Sequence, residues 1–387
     1  MSFDQIILWI MAIGLLVGGA DKILGNHFGL GEKFDEGFKA MGALALGMVG
    51  IICLIPIIQK VIENTIRPFF LRIHIDPAMI GSILANDMGG YPLAMQLAVD
   101  ERVGLLAGTI VSSMLGAVLV FHIPVGLGLI DKEKHPYFAK GLLIGLVTMP
   151  IGSIAGGVAA GFPVRMVLIN MLPIVLVALL MAAGLKWIPD TMIKGSLLFG
   201  KLITTVVYVG LMCVGFQYIT NVVIIPGMVP VEEGMAIVAG IAIVLAGAYP
   251  VLELLMRALG KPLLIMGNRL GLDTVSTAGL IFALANSIPV FTMIKKMEPK
   301  GVVVNTAWAV TVGAAFGDHL GFTASVYPKM IGPMIIGKIT AGVLAVILAM
   351  LLCRERASEC KKVSGSTPDT KTKNRRKKHA IWNQHVG

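Results

Sequence analysis

Pro77-Ala78-Met79-Ile80-Gly81-Ser82-Ile83-Leu84-Ala85 runs into Asn86-Asp87-Met88-Gly89-Gly90-Tyr91-Pro92, and further along the chain Thr274 to Ala285 runs into Asn286-Ser287-Ile288-Pro289. Each is an apolar stretch shorter than the runs of about 20 residues that cross a bilayer, and each is interrupted at its middle. Proline removes a backbone donor and clashes with the preceding turn, while the Gly89-Gly90 pair adds backbone freedom, so no continuous helix is expected through either site. Irregular backbone at membrane depth persists only where protein or a polar cavity satisfies its N–H and C=O groups. Both interrupted stretches are therefore expected to face inward.

The interruption occurs twice because the chain contains itself twice. Pro56 and Pro68 recur as Pro250 and Pro262. After a three-residue insertion, Asp76, Pro92, Gly104, Thr109, Gly116 and His122 recur as Asp273, Pro289, Gly301, Thr306, Gly313 and His319. With 19 prolines in 387 residues, three aligned proline pairs exceed chance. A duplicated apolar chain is the architectural mark of a secondary transporter.

Composition agrees. At 56% hydrophobic and 14% charged residues, the chain is not an ordinary soluble globule, whose charged content is nearer about 25%. Apolar runs long enough to span appear at 3–20, 40–58, 103–130, 139–160, 166–188, 196–219, 235–256, 301–326 and 330–352. The first is not a convincing signal peptide, since its front end carries Asp4 and no Lys or Arg. With the basic C-terminal end placed on the cytoplasmic side, the positive-inside rule disfavours a layout in which both interrupted stretches cross, and weighs equally one in which both turn back and one in which only the second does. The duplication decides for both turning back, giving nine spans. The expected fold is thus an all-α polytopic membrane protein. Residues 1–160 form a first repeat of four spans plus one re-entrant or broken helix, 161–194 a linking span, and 195–352 a second repeat entering the membrane in the opposite direction.

Seven of the ten net positive charges fall in residues 353–387, which include Arg375-Arg376-Lys377-Lys378. This end reads as a solvated, disordered basic tail drawn to anionic lipid, not as a nucleic-acid surface. Cys53, Cys213, Cys353 and Cys360 have no paired spacing, so neither a disulfide framework nor a metal site is indicated. No HExxH or Walker A motif is present, and Gly157 to Gly161 reads as close helix packing. No cofactor and no catalytic motif is expected.

Polar residues at depth carry the functional reading. An ionised Asp in a span costs about 2.5–3.5 kcal/mol, so Asp87, beside Asn86 and Tyr91, needs a cation, a proton or water; a small ammonium substrate supplies the first. The plainer alternative is a half-helix cap. In the run 301–326, Asp318 and His319 point about 100° apart on a helix, suiting cation binding and pH titration, or else a helix end in the interface. Asn305 and Trp308 offer an amide and an aromatic face for an amine. Glu253 and Lys338 are read as snorkelling to water.

Taken together, Ile83 to Pro92, Ala283-Leu284-Ala285-Asn286-Ser287-Ile288-Pro289 and Phe316-Gly317-Asp318-His319-Leu320-Gly321-Phe322 resemble the ethanolamine permeases of bacterial ethanolamine-utilisation operons, from residue 1 to about 352. The resemblance implies an inner-membrane permease that admits ethanolamine, a compact protonated amine with one hydroxyl, for breakdown by a cobalamin-dependent lyase in a microcompartment. Asn86, Asp87, Tyr91 and Asn286 supply chemistry for such a cation, with Asp318 as a second charge. Membrane lipids are the other expected partner, and a homo-oligomer is left open. The rival reading is a membrane-embedded enzyme using Asp318 and His319 as acid and base on a lipid headgroup.

Overall fold

The computed structural model describes residues 2–84 and 89–364. Among them the secondary structure is helical, with no strand. The first part of the chain forms α1 (Phe3–Ile23), α2 (Leu30–Thr65), the short α3 (Arg67–Arg72), α4 (Ala78–Leu84), α5 (Gly90–Leu97) and α6 (Glu101–Leu105). α6 continues through π-helical stretches, Leu106–Gly116 and Val118–His122, into α7 (Ile123–Leu129), and α8 (His135–Ala159) follows. After α9 (Val164–Trp187) come α10 (Pro189–Thr220), α11 (Val231–Arg269), α12 (Thr274–Ala285), α13 (Ser287–Met293), α14 (Pro299–Val312), α15 (Asp318–Val326) and α16 (Ile331–Ser364).

Eight helical segments among the described residues are long and apolar enough to cross a bilayer. They match eight of the nine apolar runs. The ninth, 301–326, is not one continuous helix: it breaks at Gly313–Gly317 into α14 and α15. The chain is a multi-pass membrane protein, and its outer faces are apolar, with Trp9, Leu16, Leu176, Leu198 and Met212 exposed. The most apolar window of the segment Glu101–Leu129 is 94% buried, against 22% for α1 and for α10. That segment therefore runs through the centre, while α1 and α10 leave most of their apolar surface exposed.

Both interrupted stretches fold as hairpins, and one carboxylate closes each. Asp76, at the base of the first, accepts hydrogen bonds from the Ala78 amide (2.9 Å) and, across the hairpin, from the amides of Val99 (3.0 Å) and Asp100 (2.8 Å). Its own amide donates to Asn170 Oδ1 on α9 at 2.7 Å. Asp273 repeats the device: it accepts from the Ser276 amide (2.8 Å) and from the Glu298 amide (3.3 Å) just before α14. Because one side chain touches both ends, each stretch returns to the level at which it started. Between the arms of the first, α5 comes close enough that a methyl group on Gly81 would strike the Ala94 backbone.

The long helices pair across the duplication. α2 lies along α11 and α8 along α16, while α1 packs on α11 as α10 packs on α2. The last two contacts are tight in the same way: the backbone of Gly14 meets that of Gly247, and the backbone of Gly210 meets that of Gly50. A side chain at Gly14 or Gly210 would enter a carbonyl oxygen, and small residues let apolar helices approach this closely where no solvent drives them together.

Candidate functional site

The break in the ninth run and the break in the second hairpin lie against each other. α12 ends at Asn286, whose side-chain oxygen accepts from the Ile288 amide at 2.8 Å and so starts α13. This capping leaves the last carbonyls of α12 without helical partners. The unwound segment supplies them: the Ala314 amide donates to Ala283 O and the Phe316 amide to Leu284 O, both at 2.9 Å. The demand that no backbone polar group be left bare at depth is thus met by two irregular segments completing one another. Gly313 is needed there, because a Cβ would run into Ser287 Oγ and the Ala309 carbonyl; Ala314 takes the left-handed conformation, φ 57°.

A cavity of about 330 Å³ opens at this junction. Asp318 and His319 project from the first turn of α15, where the positive end of the helix dipole favours a carboxylate. Asp318 Oδ1 accepts the phenol proton of Tyr249 on α11 at 2.6 Å. His319 is 3% exposed and its Nδ1 lies 3.0 Å from the Gly313 carbonyl. A carbonyl only accepts, so Nδ1 carries the proton. From the first copy comes His122, 2% exposed, with Nε2 3.1 Å from Ser287 Oγ. The Ser287 hydroxyl reaches the Ala309 carbonyl at 3.4 Å. The two histidines aligned by the duplication therefore line one cavity, close to either side of Gly313. The ring of His122 meets Phe291 edge-on, with centroids 5.8 Å apart.

Of the residues singled out in the sequence, Asn286, Asp318 and His319 come together here. Asn86 and Asp87 lie outside the described residues. Tyr91 packs edge-on against Phe322, centroids 5.7 Å apart, and does not line this cavity. Asn305 and Trp308 do not line it either: the Asn305 amide nitrogen donates to Ser276 O (2.8 Å) and Gly301 O (3.0 Å), and the Trp308 indole to Leu280 O (2.8 Å). Both thereby tie α14 to α12 and hold the frame around the break. Lys338 departs from its expected snorkelling. It is 1% exposed, and its ammonium donates to the Ser113 carbonyl in the π-helical stretch at 2.7 Å. Glu253 behaves as expected for a residue near water, paired with Arg257 one turn on at 2.8 Å.

Three lining residues with polar side chains had no functional reading in the sequence: Tyr249, Ser287 and His122. Tyr249 sits in a long apolar run beside Pro250 with nothing local to mark it. His122 did carry a signal, its alignment with His319 through the duplication.

Fold and cavity together define a multi-pass helical membrane protein with a charged, half-enclosed site where two interrupted elements meet. The chain belongs to the family of the ethanolamine utilisation protein EutH, whose model matches residues 3–352. It is 47% identical to the probable ethanolamine permease EutH of Listeria monocytogenes serotype 1/2a (strain 10403S), over 91% of this chain and 95% of that protein. It is 44% identical to the uncharacterized protein YxeR of Bacillus subtilis (strain 168), over 95% and 100% respectively. It is 39% identical to the probable ethanolamine permease EutH of Escherichia coli (strain K12), over 91% and 96%. No solved structure matches the chain.

Proposed function

We propose that this protein carries protonated ethanolamine across the bacterial inner membrane, and that it is a permease, not an enzyme. The observation that carries the reading is Asp318, a carboxylate at the start of a half-helix inside a cavity bounded by both copies. The names borne by the relatives in Listeria and Escherichia supply the substrate. A primary ammonium fits an acceptor set of this kind, and the cluster of Asn286, Ser287 and His122 offers partners for a hydroxyl. His319 holds the second side of the cavity. Asp87, with Asn86 and Tyr91, is taken as a second carboxylate group of the same pathway. Asn305 and Trp308 act on the substrate through the position of α12.

The two copies, residues 1–160 and 195–352 joined by the span at 161–194, enter the membrane in opposite directions in this reading, and transport proceeds by alternating access as one copy moves against the other. Support comes from the paired clamps at Asp76 and Asp273 and from the cross-packing of α1 on α11 and α10 on α2.

The test is uptake of labelled ethanolamine into proteoliposomes at acidic pH, where the neutral, membrane-permeant amine is scarce. Losing one partner of a desolvated charged contact costs about 2–5 kcal/mol, so Asp318→Asn is expected to weaken saturable uptake by roughly 30-fold or more. Asp87→Asn, made alongside, assigns the second carboxylate. Saturable uptake at the wild-type level in Asp318→Asn removes that residue from the site. Recovery of chemically altered product in place of ethanolamine would move the protein to the class of membrane enzymes.

A further inference from the structure

A second cavity, of about 420 Å³, adjoins the first. Its lining differs in kind. Lys33 and Glu36 come from the start of α2, and Glu253 from α11. These charges are paired: Lys33 with Glu36 at 2.8 Å and Glu253 with Arg257 at 2.8 Å, in half-exposed positions reached by water. The two cavities share Tyr249, Asn286 and Ile288, which stand between the charged space at Glu36 and Glu253, called outer below, and the space around Asp318, called inner.

The shared residues are not equivalent. Asn286 is fixed by its cap on the Ile288 amide, and Ile288 belongs to α13, so neither moves without the hairpin. Tyr249 is held at its polar end by the 2.6 Å hydrogen bond to Asp318 Oδ1. A phenol reaches this oxygen as a neutral donor; an alkylammonium reaches it as a charged one, and charge-assisted hydrogen bonds are roughly twice as strong as neutral ones. The donor that closes the partition and the donor that a substrate amine brings therefore compete for the same oxygen.

We propose that Tyr249 is the gate of the pathway. Its hydroxyl stands in for the substrate ammonium on Asp318 when the inner cavity is empty, and an incoming amine opens the partition by taking that place. The outer cavity is then the vestibule, where a cation is handed between the Glu36 and Glu253 carboxylates before it meets the tyrosine. Selection follows from the exchange. A neutral alcohol replaces one neutral hydrogen bond with another and gains little, whereas an ammonium gains the difference between the two. This inference rests on the amine-permease reading, and its test is built so that the two fail separately.

Two measurements decide it, both on the full-length protein. In the first, ethanolamine binding is compared between the wild type and Tyr249→Phe, which keeps the ring and removes the competing donor. Because a hydrogen bond to a charged group is worth about 1.5–3 kcal/mol, Kd is expected to fall about tenfold in the variant. A Kd that is unchanged or weaker assigns Tyr249 a structural role and overturns the gate. In the second, Ser287→Cys in a background without the native cysteines reports entry to the inner cavity through its rate of modification by 2-aminoethyl methanethiosulfonate. Tyr249→Ala is expected to raise that rate about tenfold, as loss of a contact of this strength implies. Equal rates with Tyr249 and with alanine sink the gate whatever the substrate is. Absence of ethanolamine binding to the wild type would instead sink the substrate reading and leave the modification rates to decide the gate.

Discussion

The central span of the first copy, Glu101–Leu129, and its counterpart across residues 299–326 align Gly116 with Gly313 and His122 with His319, yet they fold differently. The first runs on as a helix with π-helical turns at its middle; the second comes apart at Gly313–Gly317. The alignment shows what separates them. Val120 stands where the second copy has Gly317, and Phe121 stands where it has Asp318. In the first copy Gly116 has no glycine four residues on, and the chain there stays helical with a change of winding. Two glycines one turn apart let the chain leave the helix, provided a neighbour accepts the exposed amides, as Ala283 and Leu284 do. The substitution that permits the break and the substitution that introduces the carboxylate are adjacent, so Asp318 stands at the first turn of the helix that follows the opened backbone.

The largest effect is expected from forcing the second copy to resemble the first. Gly317→Val puts a branched side chain where even a Cβ would enter the Ala285 carbonyl, so the segment must shift and carry Asp318 with it. A misplacement of about 1 Å at a site of positioned groups costs on the order of 100-fold, and ethanolamine uptake should fall accordingly. Wild-type uptake in Gly317→Val would show that transport does not need the break. A smaller effect is expected from Gly313→Ala, whose methyl group meets Ser287 Oγ and the Ala309 carbonyl. Overpacking of this kind costs about 1–3 kcal/mol, read as a lower thermal midpoint in detergent. Gly42→Ala on α2, where nothing lies within 4 Å, should instead leave the midpoint unchanged or raise it, since alanine is the better helix former by about 1 kcal/mol. A fall of the same size at both sites would mean that close packing at the break is not what Gly313 provides.

The smallest effect concerns the hairpin clamps and depends on pH. Burial alone would raise the pKa of Asp273, but hydrogen bonds from the Ser276 hydroxyl and amide and from the Glu298 amide outweigh it and hold the carboxyl below its ordinary value. A folded-state pKa below the unfolded one adds stability at pH values above the ordinary carboxylate range, and that stability is lost as pH falls through the lowered value. Asp273→Asn should therefore lower the thermal midpoint at neutral pH and flatten its decline below roughly pH 4, where the unfolded carboxyl takes up its proton. Parallel midpoint curves for the two proteins in acid would exclude the clamp as a source of acid sensitivity.

Much of the fold was legible because it rests on strong local signals. Apolar length marked the spans, and Asn286-Ser287-Ile288-Pro289 marked the turn of the second hairpin, since a capping residue and a proline each end a helix by a mechanism that needs no partner. The break at Gly313–Gly317 escaped because Ala314, Ala315 and Phe316 keep the run apolar, and a glycine pair one turn apart reads equally well as helix packing. The site was legible in its charged member and not in the groups that complete it. Asp318 announces itself as a carboxylate in an apolar run, but Tyr249 matters only through a contact across 69 residues. Asn305 and Trp308 have the chemistry of amine ligands, and only the fold reveals that the α12 backbone uses their hydrogen bonds. Lys338 is similar: its long side chain suits an excursion to water, and the nearer Ser113 carbonyl is what it meets.

The amides of Ala314 and Phe316 feed the carbonyls of Ala283 and Leu284. To pull α12 away from the unwound segment would deprive two donors and two acceptors of their partners, at about 1–3 kcal/mol for each group left unsatisfied. These pieces must consequently travel as a single rigid block. Whatever deformation carries cargo from one side of the membrane to the other has to be taken up at the borders of that block, and a clamp linking residue 283 to residue 314 would leave turnover untouched.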